Sequence, residues 1–122
     1  MPRRKVLVAG ASGLVGSAAV RHFAQLKDWD VVGVSRRIPP GLPGATLLSV
    51  DLTDKRRCAE VFGQMADVTH LVYAAVNEKP GLVEGWRDRE QMQLNLAMLD
   101  NLFAPLAAAA PGLRHVSLLQ GT

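Results

Sequence analysis

Short apolar runs alternate along the chain with segments whose apolar residues recur every three or four positions, the pattern of a parallel sheet covered on both faces by helices. Lys5 to Ala9 is apolar at every position after the first, as a central strand buried on both sides requires, and predicts strand one. From Leu14 to Leu26, the residues Val15, Ala18, Ala19, Phe23 and Leu26 recur at helical spacing, which predicts a helix with that stripe against the sheet. Val31 to Ser35 reads as strand two, a Pro/Gly-rich loop spans Pro39 to Gly44, and Thr46 to Val50 follows as strand three. Thr53 or Asp54 can cap a second helix that carries Cys58, Val61, Phe62 and Met65 on one face. Val68 to Ala75 is strand four, Asn77 to Gly85 a loop, and a third helix runs from near Trp86 to Ala110. Pro105 should kink or locally break that helix, because proline lacks the amide hydrogen and clashes with the preceding turn. Pro111 and Gly112 end it, and Leu113 to Leu119 supplies strand five.

Right-handed crossovers between these five strands give the order 3-2-1-4-5, so the fold class expected is α/β, a Rossmann-type doubly wound parallel sheet. The sequence stops at Gln120-Gly121-Thr122, directly after strand five, and the edge of that strand would be open to pairing with another chain, including a second copy.

The turn between the first strand and the first helix carries a glycine triplet in Gly10-Ala11-Ser12-Gly13-Leu14-Val15-Gly16. In that context each glycine has its own reason: Gly10 for the tight turn, Gly13 for close backbone approach to a pyrophosphate, Gly16 for close packing of the helix on the sheet. Free amide hydrogens and the positive end of the helix dipole would meet the phosphates, and Ser12 could add a hydroxyl. A turn used only for packing is the competing reading. At the end of strand two, where an NAD-selective site places a carboxylate, the chain reads Ser35-Arg36-Arg37. A hydroxyl and two guanidiniums suit a 2′-phosphate, which points to NADP in preference to NAD; solvated surface charges are the alternative. Asp51 could accept a hydrogen bond from an adenine amino group while Leu52 covers the ring, or Asp51 could belong to the cap of the following helix. Ala74 and Ala75, small residues at the end of strand four, would let a ribose approach.

Composition narrows the classes. The 122 residues are 48% hydrophobic and 20% charged, enough for one globular domain with one core. The net charge of +3 comes from small basic groups separated by acidic and apolar stretches, so no nucleic-acid-binding stripe emerges. Nothing is long or apolar enough for a signal peptide or a membrane span. Cys58 is the only cysteine, which removes an intrachain disulfide and any cysteine-based metal site and fits a reducing, cytoplasmic compartment. His22, His70 and His115 lack metal-ligand spacing, and Cys58 in an apolar stripe reads as a packed thiol. Glu78, Trp86, Arg87, Asp88 and Arg89 follow strand four on the side where a nicotinamide and substrate would lie.

Taken together, these motifs resemble the extended and atypical short-chain dehydrogenase/reductase superfamily, the epimerase/dehydratase-like group. Gly10, Gly13 and Gly16 match its extended glycine pattern, and Arg36-Arg37, Asp51-Leu52 and Asn95 fall where the family has cofactor-binding or structural residues. The segments VVGVSRR, THLVYAA, NLAMLDNL and LRHVSLLQGT are similar to the branch of progesterone 5-beta-reductases and iridoid synthases with their bacterial relatives. The resemblance implies an NADPH-dependent reductase that delivers hydride to the beta carbon of an enone, using a lysine and a tyrosine near the carbonyl. The lysine directly follows a segment like Gln120-Gly121-Thr122 and the tyrosine lies further on, so neither falls within this chain; Tyr73, inside strand four, does not match. Plant members carry an aromatic residue where this chain reads Ala75-Val76. The expectation is therefore an NAD(P)-binding domain over residues 1–122, the N-terminal part of a longer enzyme, holding the dinucleotide but no catalytic residue and no metal. A small-molecule substrate would bind only the intact protein. An extended-family nucleotide-sugar epimerase or dehydratase, and a non-catalytic NADP-sensing module, share these features.

Overall fold

Val6 and Val8 pack on one side of a strand and Leu7 and Ala9 on the other, all fully buried, so the first apolar run lies between two hydrophobic layers as its pattern requires. A computed structural model describes residues 4–37, 44–75 and 85–118, apart from the side chains of residue 14 and residues 85–91. Its elements run β1 (Arg4–Ala9), α1 (Leu14–Ala24), β2 (Trp29–Ser35), β3 (Thr46–Ser49), α2 (Lys55–Phe62), β4 (His70–Tyr73), α3 (Gly85–Ala109) and β5 (His115–Leu118). The strands form one sheet in the order β3-β2-β1-β4-β5, and every pairing is parallel. The doubly wound architecture read from the sequence is the one observed. Most of the loops expected at 39–44 and 77–85, and the closing Gln120-Gly121-Thr122, lie outside the described residues.

One face of the sheet packs Leu7, Val34, Leu71 and Tyr73 against Phe62 of α2 and Leu102 and Leu106 of α3. The other face packs Val6, Val8, Val31 and Val72 beneath Val20 of α1. Removing each of these large side chains from water contributes roughly 1.5–3 kcal/mol, so the two apolar layers reinforce the register that the backbone ladders set. Asn101 ties α3 to the connection after β3, its Nδ2 donating to the Leu52 carbonyl at 2.9 Å.

Two expectations change. The stripe of α1 that meets the sheet is the predicted one only in part: Ala19 and Phe23 pack there, but Val15 is 53% exposed, Leu26 38% and Ala18 is exposed, while Gly16 and Val20 are buried and Ala24 packs beside them. Apolar residues occupy both stripes, and the choice falls to Gly16, which alone can face the preceding turn at the distance described below. Pro105 does not interrupt α3, which is helical from Gly85 to Ala109. Leu102 and Leu106 are fully buried on either side of it, so packing holds both turns against the sheet despite the missing amide.

At the amino ends of the strands a row of rings crosses the sheet. His22 meets Phe23 at 5.2 Å, Phe23 meets Trp29 at 4.7 Å, Trp29 meets His70 at 4.6 Å, and His70 stacks on His115 at 5.1 Å. The Arg4 guanidinium lies 5.6 Å from the Trp29 ring centroid. These contacts explain why β1 and β2 start earlier than their apolar runs, at the register pair Arg4 and Trp29.

Partial burial, and after it the positive charges of His115, Arg4 and Arg114, hold the His70 imidazole below its ordinary value of 6.5. A histidine depressed in the folded state contributes stability above its unfolded pKa and loses it as pH falls through the folded one. Melting temperature is therefore expected to fall between about pH 7.5 and 5 more steeply for the native chain than for His70→Gln, measured by circular dichroism. Identical slopes would contradict this. Tyr73 offers a second check: its hydroxyl is buried with no hydrogen-bond partner among the described residues, and burial, with Cys58 nearby, pushes its pKa up to about 12. Tyr73→Phe is expected to leave stability unchanged or raise it by about 1–2 kcal/mol in urea unfolding, and a clear loss would reveal a partner for the hydroxyl.

Candidate functional site

The carboxyl ends of β1, β2, β3 and β4 meet at one cleft, and the turn after β1 forms its floor. Gly10 has φ +86°, and a Cβ there would lie 2.8 Å from Ala74 C and Ala75 N, so both conformation and space demand glycine. The amides of Gly10 and Ala11 both donate to the Val34 carbonyl, at 2.9 and 3.1 Å, which fastens the turn to β2. The Gly13 amide folds back onto the Gly10 carbonyl at 3.0 Å. A Cβ at Gly16 would fall 1.9 Å from that same carbonyl oxygen, so α1 can begin here only because Gly16 has no side chain. Its tight contact is with the turn rather than with the sheet strands.

Gly13 is different. A Cβ there would meet only the Gly10 oxygen, at an ordinary 3.5 Å, and its backbone is extended at φ −79°. The protein's own packing does not require glycine at this position; the space it leaves opens toward the cleft. Gly13 is also the N-cap of α1 and makes no side-chain cap hydrogen bond. By helix geometry the amides of Leu14, Val15 and Gly16 therefore have no acceptor within the helix, and they sit at the positive end of its dipole. The second helix contrasts with this, because Asp54 Oδ1 accepts from the Arg57 amide at 3.0 Å and closes its amino end.

At the end of β2, Ser35 is 9% exposed and its hydroxyl donates to the Arg37 carbonyl. That proton is committed to the turn, so Ser35 shapes the arginine segment instead of presenting a free donor. The Arg36 and Arg37 side chains are exposed, and neither forms an ion pair with a described residue. Across the cleft, Asp51 Oδ1 accepts from the Thr53 hydroxyl at 2.7 Å and the Thr53 amide at 2.9 Å. These two bonds, the hydroxyl first, hold the carboxyl below its ordinary 3.8 against a smaller desolvation effect, with the Arg36 charge adding to them. The cap of α2 is thus Asp54, and Asp51 keeps Oδ2 without a partner among the described residues. Leu52 is a core residue, 5% exposed, that shows the cleft only an edge.

The cleft encloses about 180 Å³. Nine of the residues read from the sequence border it: Gly10, Ser12, Gly13, Ser35, Arg36, Asp51, Leu52, Ala74 and Ala75. Arg37, Gly16 and the exposed Val15 do not form its wall, and the side chain of Leu14 lies outside the described set. Sequence reasoning missed Val34, Val50, Thr53 and Met98. The first two end their strands and were legible as such; Thr53 was read only as a cap, and Met98 reaches the cleft from mid-helix in α3. Asn95 is half-buried on α3 and does not border the cleft. The side chains of Glu78, Trp86, Arg87, Asp88 and Arg89 lie outside the described set. Burial, and then the charges of Asp54 and Asp51, push the Cys58 thiol up to about 11, so it is a protonated packing residue at neutral pH. No group of three metal-ligating side chains occurs among the described residues.

Parallel strands in the order 3-2-1-4-5 with an uncapped, glycine-lined turn after the first strand define a doubly wound nucleotide-binding type of fold. The chain belongs to the NAD dependent epimerase/dehydratase family, whose model matches residues 6–119. It is 28% identical over 124 residues to the 3-oxo-Delta(4,5)-steroid 5-beta-reductase of Arabidopsis thaliana, covering 95% of this chain and 30% of that protein. With an (S)-8-oxocitronellyl enol synthase of Nepeta racemosa it shares 28% identity over 94% of this chain and 29% of the synthase. The methionine adenosyltransferase 2 subunit beta of Pongo abelii is 31% identical over 96% of this chain and 33% of its own length. The chain thus spans about a third of the length of these curated relatives. Among solved structures, a short-chain dehydrogenase/reductase from Burkholderia multivorans with bound NADP superposes with a TM-score of 0.75 at 20% identity, over 98% of this chain and 59% of that one. This likeness bears on the fold. The reductase and synthase relatives are those that the segments VVGVSRR and LRHVSLLQGT resemble.

The two glycines of the turn give opposite expectations. Gly16→Ala should cost about 2 kcal/mol or more in urea unfolding, because its Cβ meets backbone that cannot move aside. Gly13→Ala should stay within about 1 kcal/mol of the native chain. Equal losses would mean that Gly13, too, is there for packing.

Proposed function

We propose that this chain is the NADP(H)-binding portion of an NADPH-dependent oxidoreductase of enone- or carbonyl-reductase type. The observation that carries the reading is at the end of β2, where Arg36 borders the cleft with Arg37 next to it, both exposed and without an ion pair to a described residue, and no carboxylate occupies the place that would bond a ribose 2′-hydroxyl. The turn fits the rest of a dinucleotide. The amides of Leu14, Val15 and Gly16, with Ser12, would hold the pyrophosphate in the space that Gly13 leaves open. Arg36 and Arg37 would take the 2′-phosphate. Asp51, through its unused oxygen, and the edge of Leu52 would border the adenine, while Ala74 and Ala75 leave room for a ribose. The bound cofactor would supply a hydride; the residues described here bind and orient it, and none is proposed as catalytic.

The reductase and synthase relatives, and the neighbour solved with NADP, support this choice. Substrate recognition, for a small molecule, belongs to the reading of a longer protein. The same reading puts association with another chain at β5, where Val116 and Leu118 are 42% and 50% exposed. No described helix is long and apolar enough to cross a membrane, and a reducing, cytoplasmic setting suits the unpaired Cys58. A second reading, a cofactor-sensing module inside a larger assembly, is favoured by the relative named as a subunit of a methionine adenosyltransferase. An epimerase or dehydratase acting on nucleotide sugars follows from the family itself.

Fluorescence titration tests the cofactor. NADPH is expected to bind at least about tenfold more tightly than NADH, and Arg36→Ala to weaken NADPH by about tenfold while sparing NADH. Gly13→Ala should weaken both dinucleotides alike. Equal affinity of the native chain for the two would sink the NADP assignment.

A further inference from the structure

Ser35 and Ser49 are register partners on the last rung of the β2–β3 ladder, and the Val50 amide closes that rung by donating to the Ser35 carbonyl at 2.9 Å. Just beyond it the two hydroxyls perform matching tasks. Ser35 Oγ donates to the Arg37 carbonyl, and Ser49 Oγ, from the neighbouring strand, donates to the Arg36 carbonyl at 2.9 Å. Consecutive carbonyls are thereby held from two strands, so the backbone carrying both arginines is fixed to the end of the sheet instead of swinging with the connection that follows. The bonds also act electrostatically. A carbonyl oxygen is the negative end of a peptide dipole, and covering it with a hydroxyl hydrogen reduces its repulsion of an anion held by the adjacent guanidiniums.

Ser49 is exposed and does not border the cleft, so it has no direct contact to offer a ligand there. We propose that Ser49 is a positioning residue that sets dinucleotide specificity: by holding the Arg36 carbonyl it places the arginine turn to recognise a 2′-phosphate. The inference rests on the NADP reading above. Ser35 shares the task, but it is buried, and its loss would disturb the core as well as the turn. Ser49 separates the two effects.

The test is a set of NADPH and NADH dissociation constants, by fluorescence titration, for the full chain, Ser49→Ala, Ser49→Thr, Arg36→Ala and the Ser49→Ala/Arg36→Ala pair. Ser49→Ala is expected to weaken NADPH roughly three- to tenfold and to leave NADH within about twofold. Ser49→Thr, which keeps the hydroxyl and suits a strand end, should restore NADPH binding. In the Arg36→Ala background, losing Ser49 should cost nothing further, because the two act as one unit. Equal losses for both dinucleotides, no rescue by threonine, or additive losses in the pair would overturn the proposal. If the native chain prefers NADPH and Ser49→Ala binds as the native chain does, the clamp alone falls. If the native chain does not distinguish the dinucleotides, the NADP reading falls and takes the clamp with it.

Discussion

The close approach of Gly16 to the Gly10 carbonyl is the constraint on which the rest of the molecule depends. A Cβ at Gly16 would lie only 1.9 Å from the carbonyl oxygen, so the first helix can start only where that side chain is missing. Once it starts there, its rotation is decided: Val20 turns down onto Val6, Val8 and Val72, and Val15 turns out to solvent. Its amino end is also aimed, with the extended Gly13 as an open cap beside the ends of β1 and β4. One backbone contact thus links the packing of the α1 layer to the electrostatic character of the cleft.

The two ends of the sheet have been given opposite properties. At the amino ends, rings and cations of five elements close on one another, from His22 and Phe23 through Trp29 and Arg4 to His70 and His115, and this polar edge is spent on holding the strands together. At the carboxyl ends the polar groups are held in place without being used up. The helix amides have no cap, Asp51 uses one oxygen, and the two arginines stand on a backbone fastened by serines. Preorganisation of this kind lowers the ordering cost of binding an anionic ligand.

Much of this was legible in the sequence because the strongest signals are those that backbone geometry enforces. The all-apolar β1, the glycine turn and the strand order follow from period and spacing, and nine residues that border the cleft were readable because they sit at strand ends or in that turn. What was not legible depends on contacts between distant segments. Two apolar stripes compete on α1, and only the Gly10–Gly16 distance selects one. Asp51 and Asp54 are interchangeable as caps until Thr53 takes the first and Arg57 the second. Ser35 looks like a free donor until the chain folds back and the Arg37 carbonyl takes its proton, and Ser49 carries no signal at all before β3 pairs with β2. Pro105 predicts a kink or a local break from local sterics alone, and the helix runs on through it without a break, with Leu102 and Leu106 buried on either side.

The central claim is that the glycine-lined turn and the arginine pair form one dinucleotide site at the carboxyl end of the sheet. The most direct test is a titration of the isotopically labelled chain with NADP followed by amide chemical shifts. The account predicts saturable shifts concentrated at residues 12–16, 35–37 and 51–53, with the ring row around Trp29, His70 and His115 left unmoved. Shifts confined to the ring row, or no saturable shifts at the glycine turn, would contradict it.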